Sequence, residues 1–398
     1  METCTELEKI ISPIVLPLFE DIYFEKKPLL ISRNDKNFFR DLISIDTINT
    51  YLERKDIRYP GIRLVKNGLE LPQTDYLTDF PYGNKVFDRV IDNDRFFTLF
   101  NEGATAVFQA AHKTLSSLST FCQKLEKYYN FPLQTNIYLT PKSSKGFQAH
   151  FDNHDVFVLQ VHGSKIWKLY DSPIYLPVET FEKNMLPEHM IPQIEVELKQ
   201  GDTLYIPRGF VHEAVTANEV SLHITLGLLS YTWIDVLRLI INDAHKINDF
   251  KESFRFDKLD EQTIEKTTKD LVDQLLAIVD YSSIEEKFKT RFIKKGLTSD
   301  NNRLLDIIRF DEVNASTIFS LRNEINYTIA ETEKEIVLCY YNKQVKFPGY
   351  VLATLKAMAA SKIFTVENLE SNIDTTGKLV LCKKLLKEGF LKINDDEK

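Results

Sequence analysis

Residues 149–170 read AHFDNHDVFVLQVHGSKIWKLY and place His150, Asp152 and His154 at alternate positions. In an extended strand residues i and i+2 project from one face, so the imidazole of His150 and the carboxylate of Asp152 can converge on one ion. His154 shares that face, but the first and third positions are separated by about 13 Å of strand, so one ion cannot take all three unless both end side chains bend inward. A better third ligand comes from another strand. The stretch QGDTLYIPRGFVHEA at 200–214 supplies it: a turn at Gly201 and Asp202, a short strand from Thr203 to Ile206, a second turn at 207–209, and a strand from Val211 that carries His212. Two imidazoles and one carboxylate on one face suit non-haem Fe(II) and leave coordination positions open for oxygen chemistry. A bare HxD is usually a polar strand face; the GD-x3-IPRGxxH context about sixty residues downstream is what lifts this one above that reading.

If the metal uses a keto acid as co-substrate, the distal carboxylate of that acid enters an otherwise apolar barrel, where an unpaired charge costs several kcal/mol. Lys165, just after the turn at Gly163, is the available cation. Asn136 and Tyr138 in TNIYLTP show the same i, i+2 alternation and can complete the hydrogen bonding of that carboxylate. The other histidines invite plainer readings. His112, His189 and His245 read as surface or loop groups and His162 as a solvated turn residue. His223 alternates with Ser221 and Thr225 and is a candidate for lining the pocket, and His154 is a candidate substrate contact. Trp167 and Phe157 read as barrel packing.

The elements that must position these groups follow from periodicity and punctuation. Residues 17–32 read as a short helix running into an apolar strand, 58–95 as strands and loops rich in Gly and Pro, and 116–131 as an amphipathic helix. After Pro132 come short strands, TNIYLT, FQAHFD, DVFVLQV, KIWKLY, EVEL, DTLYIP and SLHITLGLL, with Gly163, Gly201 and Gly209 in the connections. That spacing over about 100 residues predicts an antiparallel barrel or jelly roll. From 232 to about 300 the pattern is helical. The last sixty residues read as a hairpin around Asn342 and Lys343, helices at 350–360, 365–373 and 376–388, and a terminal strand in GFLKI, a winged-helix order. The expected domains are 1–230, 231–335 and 336–398.

A chain of 398 residues with 43% hydrophobic and 27% charged residues is an ordinary globular composition, long enough for two or three domains. No apolar run reaches the roughly 18 residues of a membrane span, and METCTELEKI is too polar for a secretory signal, so an intracellular, cytoplasmic protein is expected. Cys4, Cys122, Cys339 and Cys382 lie far apart without a CxxC pair and read as reduced thiols. A net charge of -8 disfavours non-specific nucleic-acid binding and suits a basic substrate.

HFD at 150–152, NIYLTP at 136–141, DVFVLQVHGSKIWKLY at 155–170 and GDTLYIPRGFVHEA at 201–214 resemble the JmjC-type 2-oxoglutarate oxygenases, and among them the ribosomal oxygenases, cupin proteins that hydroxylate residues of ribosomal proteins. EKKPLLISR near the start, and VKFPGYVLATLKAM and KLVLCKKLLKEGFLKI near the end, extend the resemblance over nearly the whole chain. The resemblance implies an α+β chain: a double-stranded β-helix (jelly roll, cupin) domain, a helical dimerisation region and a C-terminal winged helix. It implies His150, Asp152 and His212 as iron ligands, Lys165 as the partner of the 2-oxoglutarate C5 carboxylate, Asn136 and Tyr138 as pocket-lining residues, and Ser221 as the serine of the S-x-H-[VI]-T strand that meets the co-substrate. The implied reaction consumes Fe(II)-activated O2 and 2-oxoglutarate to hydroxylate a protein or peptide side chain, with an arginine or histidine of a ribosomal protein favoured, in a homodimer. His154 departs from the family pattern beside the mouth of the site and puts the substrate in question. Demethylation of histones is disfavoured by the lack of a cysteine-rich reader module. Two other readings stand beside this one: a tailoring hydroxylase for a ribosomally made peptide, and a winged-helix DNA-binding regulator with a cupin sensor. The second would use a basic helix face of Lys378, Lys383, Lys384 and Lys387, against which Glu388 and the acidic tail argue.

Overall fold

The structure is a computed structural model and describes residues 4–178, 186, 190–216, 218–255, 257, 259–293, 303–322, 325–331, 335–361 and 363–394. His189 lies outside them. The chain divides into two compact units, 1–229 and 230–398.

In the first unit, strands β1 (Leu29–Ile31), β2 (Ile62–Lys66), β3 (Leu69–Glu70), β4 (Leu77–Tyr82), β5 (Lys85–Ile91), β6 (Thr105–Phe108), β7 (Leu133–Thr140), β8 (Asp155–His162), β9 (Ser164–Leu169), β10 (Ile194–Lys199), β11 (Thr203–Ile206), β12 (His212–Val215) and β13 (Ser221–Leu228) follow in chain order. One sheet has the order β1-β11-β8-β13-β7-β6-β2-β3 and a second the order β10-β9-β12, while β4 and β5 form a separate ribbon. The long sheet and the three-stranded sheet both contribute side chains to one cavity, which makes the unit a jelly roll rather than an open sheet. Val156, Val158, Trp167, Leu169, Leu198, Leu204 and Ile206 form an apolar cluster that couples the two sheets. Helices Leu16–Ile22 and Ser116–Tyr129 accompany the sheets; the second buries Leu118, Phe121, Cys122 and Leu125 on the stripe that its periodicity predicts.

The GD turn has a defined partner. Asp202 accepts the Lys199 N–H at 2.9 Å and the Arg33 N–H at 2.7 Å, while Arg33 Nη1 donates to Gly201 O and Thr203 Oγ1. The opening motif EKKPLLISR, which supplies the edge strand β1, is thereby tied to its neighbour β11. At Gly163, φ is +61° and an added Cβ would stand 2.0 Å from Val220 O, so the β8–β9 turn that delivers Lys165 demands glycine.

Two expectations for this unit change. FQAHFD is not a strand: only His150 forms a bridge, to His212, and residues 151–154 are a loop. His112 is largely enclosed rather than superficial, and burial pushes its pKa down to about 4.

The second unit holds helices Trp233–Ile241, Glu261–Ala277, Ile284–Ile293, Arg303–Ile308, Leu352–Ala360 and Thr375–Glu388, and strands β14 (Phe319–Leu321), β15 (Tyr327–Glu331), β16 (Ile336–Tyr340), β17 (Lys343–Phe347) and β18 (Leu391–Ile393). β14 pairs with β18, and β15-β16-β17 form a second sheet. Pairing of β15 with β16 crosses the boundary expected at 335, and the core around them already includes Val313 and Phe319, so the helical connector ends earlier than its charge pattern predicts. The hairpin turn is Tyr341–Asn342, one residue early, since Tyr340 faces Lys343. The helix expected at 365–373 is a chain of turns. There Thr365 and Asn368 exchange side-chain to backbone hydrogen bonds, 2.7 and 3.2 Å, and such local bonds compete with helix propagation. The four cysteines are free and buried. No helix among the described residues is long and apolar enough to cross a membrane.

The proposed basic face also dissolves on inspection. Lys378 is buried and donates to Leu369 O at 2.9 Å, while Lys383 and Lys384 lie over the rings of Phe310 and Phe347 at 5.5 and 4.9 Å. Three of the four lysines are engaged within the unit.

Candidate metal centre and co-substrate pocket

Among the described residues, one group of histidine and acidic side chains meets the geometry of a metal site: His150, Asp152 and His212, whose donor atoms all lie within 4.8 Å of one another. The backbones of His150 and His212 exchange both hydrogen bonds, 3.1 and 2.8 Å, so the two imidazoles leave adjacent points of one short ladder. Asp152 enters from the loop that follows. Its Oδ2 lies 3.7 Å from His212 Nε2, and its backbone oxygen accepts the Gly209 N–H at 3.0 Å.

The hydrogen bonding of the two rings decides which nitrogens are free. His150 Nδ1 donates to Gln148 O at 2.8 Å and His212 Nδ1 to Phe210 O at 3.0 Å, in each case the carbonyl two residues back. Both Nε2 lone pairs are therefore left for a ligand, the tautomer that a metal-binding histidine needs. Burial, reinforced by His150, pushes the pKa of His212 down to about 4, so the ring is neutral near neutrality. Burial opposes ionisation of Asp152, yet His212, His154 and His150 together hold its carboxyl below the ordinary value. Two imidazoles with free Nε2 atoms and a carboxylate on one side of a cavity fit a divalent first-row metal with open positions.

These groups open onto a cavity of about 500 Å³. From β7, Gln134, Asn136 and Tyr138 face it, and from β13, His223, Thr225 and Gly227. β9 sends in Lys165 and Trp167, and β12 sends in His212 and Ala214. Asn136 Oδ1 accepts the Ala110 N–H at 3.2 Å. Tyr138 stacks on His223 with centroids 4.9 Å apart, and Trp167 meets the same imidazole edge-on at 5.6 Å.

Lys165 is 4% exposed, and its Nζ donates to Thr140 Oγ1 at 3.1 Å; among the described residues no carboxylate pairs with it. Burial alone pushes its pKa down to about 7. A buried ammonium held only by a hydroxyl is costly in isolation and is relieved by an anion arriving in the cavity. His223, buried beside it, has its pKa held well below the usual value by burial and then by Lys165, and its Nδ1 has no hydrogen-bond partner among the described residues.

Of the residues expected from sequence, His150, Asp152, His212, Lys165, Asn136 and Tyr138 meet in this cavity, and His154 joins them at the rim. Ser221 does not line it. The register puts Ser221 opposite Thr140, one step deeper than His223, and its hydroxyl accepts Gln160 Nε2 at 2.9 Å. Trp167, expected only to pack, lines the cavity as well; Phe157 packs against Phe19 and Tyr205, as expected. Thr140 escaped notice although it continues the Asn136, Tyr138 alternation that would have found it. Arg63 and Glu70, paired at 3.2 Å on the β2–β3 hairpin, also reach the rim, and nothing local in the sequence marks them.

Residues 109–236 match the family model described as the JmjC domain. The chain is 31% identical over 246 residues to the bifunctional lysine-specific demethylase and histidyl-hydroxylase NO66 of Dictyostelium discoideum, covering 61% of this chain and 46% of that protein. It is 32% identical over 240 residues to the protein of the same name from Aedes aegypti, covering 59% of this chain and 36% of that one. The chain thus spans less than half the length of these curated relatives. Among solved structures, the ribosomal oxygenase YcfD of Escherichia coli shares the fold with a TM-score of 0.54 at 17% identity over 96% of this chain and 98% of that one. YcfD in complex with cobalt and 2-oxoglutarate gives 0.55 at 15% identity, covering 96% and 99%.

Proposed function

The chain belongs to the JmjC-domain family, and from that premise we propose that it is an Fe(II)- and 2-oxoglutarate-dependent hydroxylase of a protein or peptide side chain. The observation that carries this reading is the coincidence, in one cavity, of a three-ligand metal set with its Nε2 atoms free and a buried lysine that has no counter-ion among the described residues. His150, Asp152 and His212 would hold the metal. Fe(II) bound there supplies the activation of O2 coupled to oxidative decarboxylation of 2-oxoglutarate.

The rest of the work is done by this chain. The Lys165 ammonium pairs with the distal carboxylate of the co-substrate, and Thr140 fixes where that ammonium points. The Tyr138, His223 and Trp167 rings wall the cavity and exclude water from a reactive centre. A charge buried in such surroundings is strong only because the competing solvent is gone.

A ribosomal protein is the favoured substrate, and an arginine or histidine side chain the favoured target. The fold shared with a ribosomal oxygenase supports this, as does the net charge of -8, which suits a basic partner. We further infer a cytoplasmic homodimer and a winged-helix C-terminal region. The dimer is supported by Trp233, Leu237 and Ile241, which expose one apolar side of their helix at helical spacing; a monomer in sedimentation of the full chain would remove it.

The first experiment is anaerobic binding of Fe(II) and 2-oxoglutarate, read by the charge-transfer absorbance of the chelate. The parent chain shows the band and His212→Ala loses it, after which ribosomal proteins are searched by mass spectrometry for the gain of one oxygen atom. A parent chain that takes up neither metal nor co-substrate sinks the enzyme reading.

A further inference from the structure

We propose that Glu25, Arg208 and Asp155 form a positioning clamp that holds the two metal-bearing loops at their spacing, so that the N-terminal segment sets the affinity of the site for metal. The proposal rests on the metal-centre reading above.

The ligands come from two pieces of irregular chain. His150 precedes, and Asp152 lies within, a loop that ends at Asp155, and His212 follows the turn 207–211. Such loops do not hold a ligand set to the tolerance a metal needs unless other groups fix them. Asp155 is fully buried at the end of the first loop and reaches into the second: its Oδ1 accepts the Arg208 backbone N–H at 3.4 Å and the Tyr205 hydroxyl at 2.8 Å, and its Oδ2 faces Arg208 Nη1 at 3.4 Å. The next residue, Gly209, donates to the backbone oxygen of Asp152. Asp155 and Arg208 thus bridge the loops on one side of that bond, as the His150–His212 backbone pair does on the other.

With Asp155 alone, Arg208 would already be neutralised. Instead its Nη1 makes a shorter contact, 2.8 Å, with Oε1 of Glu25, about 180 residues away in sequence. Glu25 has φ of +58°, in the left-handed region that costs a non-glycine residue about 1 kcal/mol or more. Its backbone N–H donates to the Tyr205 hydroxyl at 2.9 Å. Both its main chain and its side chain are therefore committed to residues that flank the turn before His212, and β1, which follows it, pairs with β11, Leu29 facing Tyr205. Strain of this kind persists where neighbouring contacts over-determine it and is concentrated at functional sites. None of the three residues lines the cavity, so the clamp acts only through the ligands.

The test is titration of the full chain with Co(II) alone, followed by d–d absorbance, beside thermal melting. Glu25→Gly relieves the backbone strain while removing the carboxylate; it is expected to melt no earlier than the parent yet to bind Co(II) roughly tenfold or more weakly, the loss typical of a group that orients ligands. Glu25→Gln keeps the shape and a hydrogen-bonding oxygen and is expected to fall between the two. If the glycine variant melts early, the glutamine variant decides: weakened Co(II) binding supports the clamp. Variants that bind Co(II) like the parent overturn it and leave the metal centre standing. A parent without Co(II) absorbance overturns the metal-centre reading itself.

Discussion

Each unit of this protein buries a basic side chain, and the two are treated oppositely. In the second unit Arg322, 2% exposed, donates to Asp306 at 2.6 Å and to the backbone oxygens of Gly389 and Leu391. Asp306 in turn accepts the Ile393 N–H, so charge and hydrogen-bonding capacity are matched and the group locks β18 in place. In the first unit Lys165 is equally enclosed but has a hydroxyl where Arg322 has a carboxylate. Burial identifies neither as functional. What separates them is the missing anion and the cavity that can admit one.

The sharpest way to break this contrast is to make the second unit resemble the first. Asp306→Ala leaves Arg322 buried without its counter-ion and should cost about 3–5 kcal/mol of stability, read by urea unfolding of the full chain. Adding Arg322→Met should return much of that loss. A cost below about 1 kcal/mol for Asp306→Ala would mean that water reaches the pair and that burial of charge is cheap here, which would weaken the argument about Lys165 equally.

The reciprocal change tests the first unit. Lys165→Met should abolish detectable binding of 2-oxoglutarate in the presence of Mn(II), since removing one partner of a buried charge pair costs about 2–5 kcal/mol, or roughly 30-fold to several thousandfold in affinity. The same variant should melt no earlier than the parent without ligand, because it removes an uncompensated charge. Calorimetric titration and melting measure the two halves, and a variant that binds like the parent assigns the carboxylate to another group.

The sequence made the ligand side of this site legible and left its depth obscure. His150, Asp152 and His212 stand out because their signals are short-range, an H-x-D pair and a turn-delivered histidine, although Asp152 reaches the site from a loop and not from a strand face. Lys165 was recoverable from chemistry, as the cation that a keto acid would require. Ser221 is not among the residues that line the cavity, and Thr140, which holds Lys165, and Trp167 were missed, because which residues approach the cavity depends on cross-strand register, a non-local property; Arg63 reaches the rim from the distant β2–β3 hairpin. The second unit shows the same limit: β14 and β18 are three residues each, about seventy positions apart, and only their pairing makes either a strand. The turns at 365–373 hid behind a helical apolar pattern because side-chain to backbone bonds, rather than apolar spacing, decide that segment.

The smallest effect is also the most diagnostic, because it depends on the state of one proton. Burial lowers the ligand-free Lys165 from 10.5 to about 7, so between those values the unfolded chain binds the proton and the folded chain does not. The sign follows: stability of the ligand-free protein rises with pH through that window, and below it both states are protonated and the cost of burying the charge is fully present. Co-substrate binding runs the other way. The arriving carboxylate needs the ammonium, so affinity for 2-oxoglutarate should be greatest below about pH 7 and weaken toward tenfold per unit above it, with uptake of a proton on binding. Metal-ligand titration also changes affinity, and Lys165→Arg separates the two: a guanidinium stays charged throughout, so the variant keeps whatever slope the metal ligands impose and loses the slope due to Lys165. Calorimetry with saturating Mn(II) in buffers of different ionisation enthalpy counts the proton directly. A parent and an arginine variant with the same pH profile would show that the ammonium is already charged before the ligand arrives, and that the cavity is wetter than its lining implies.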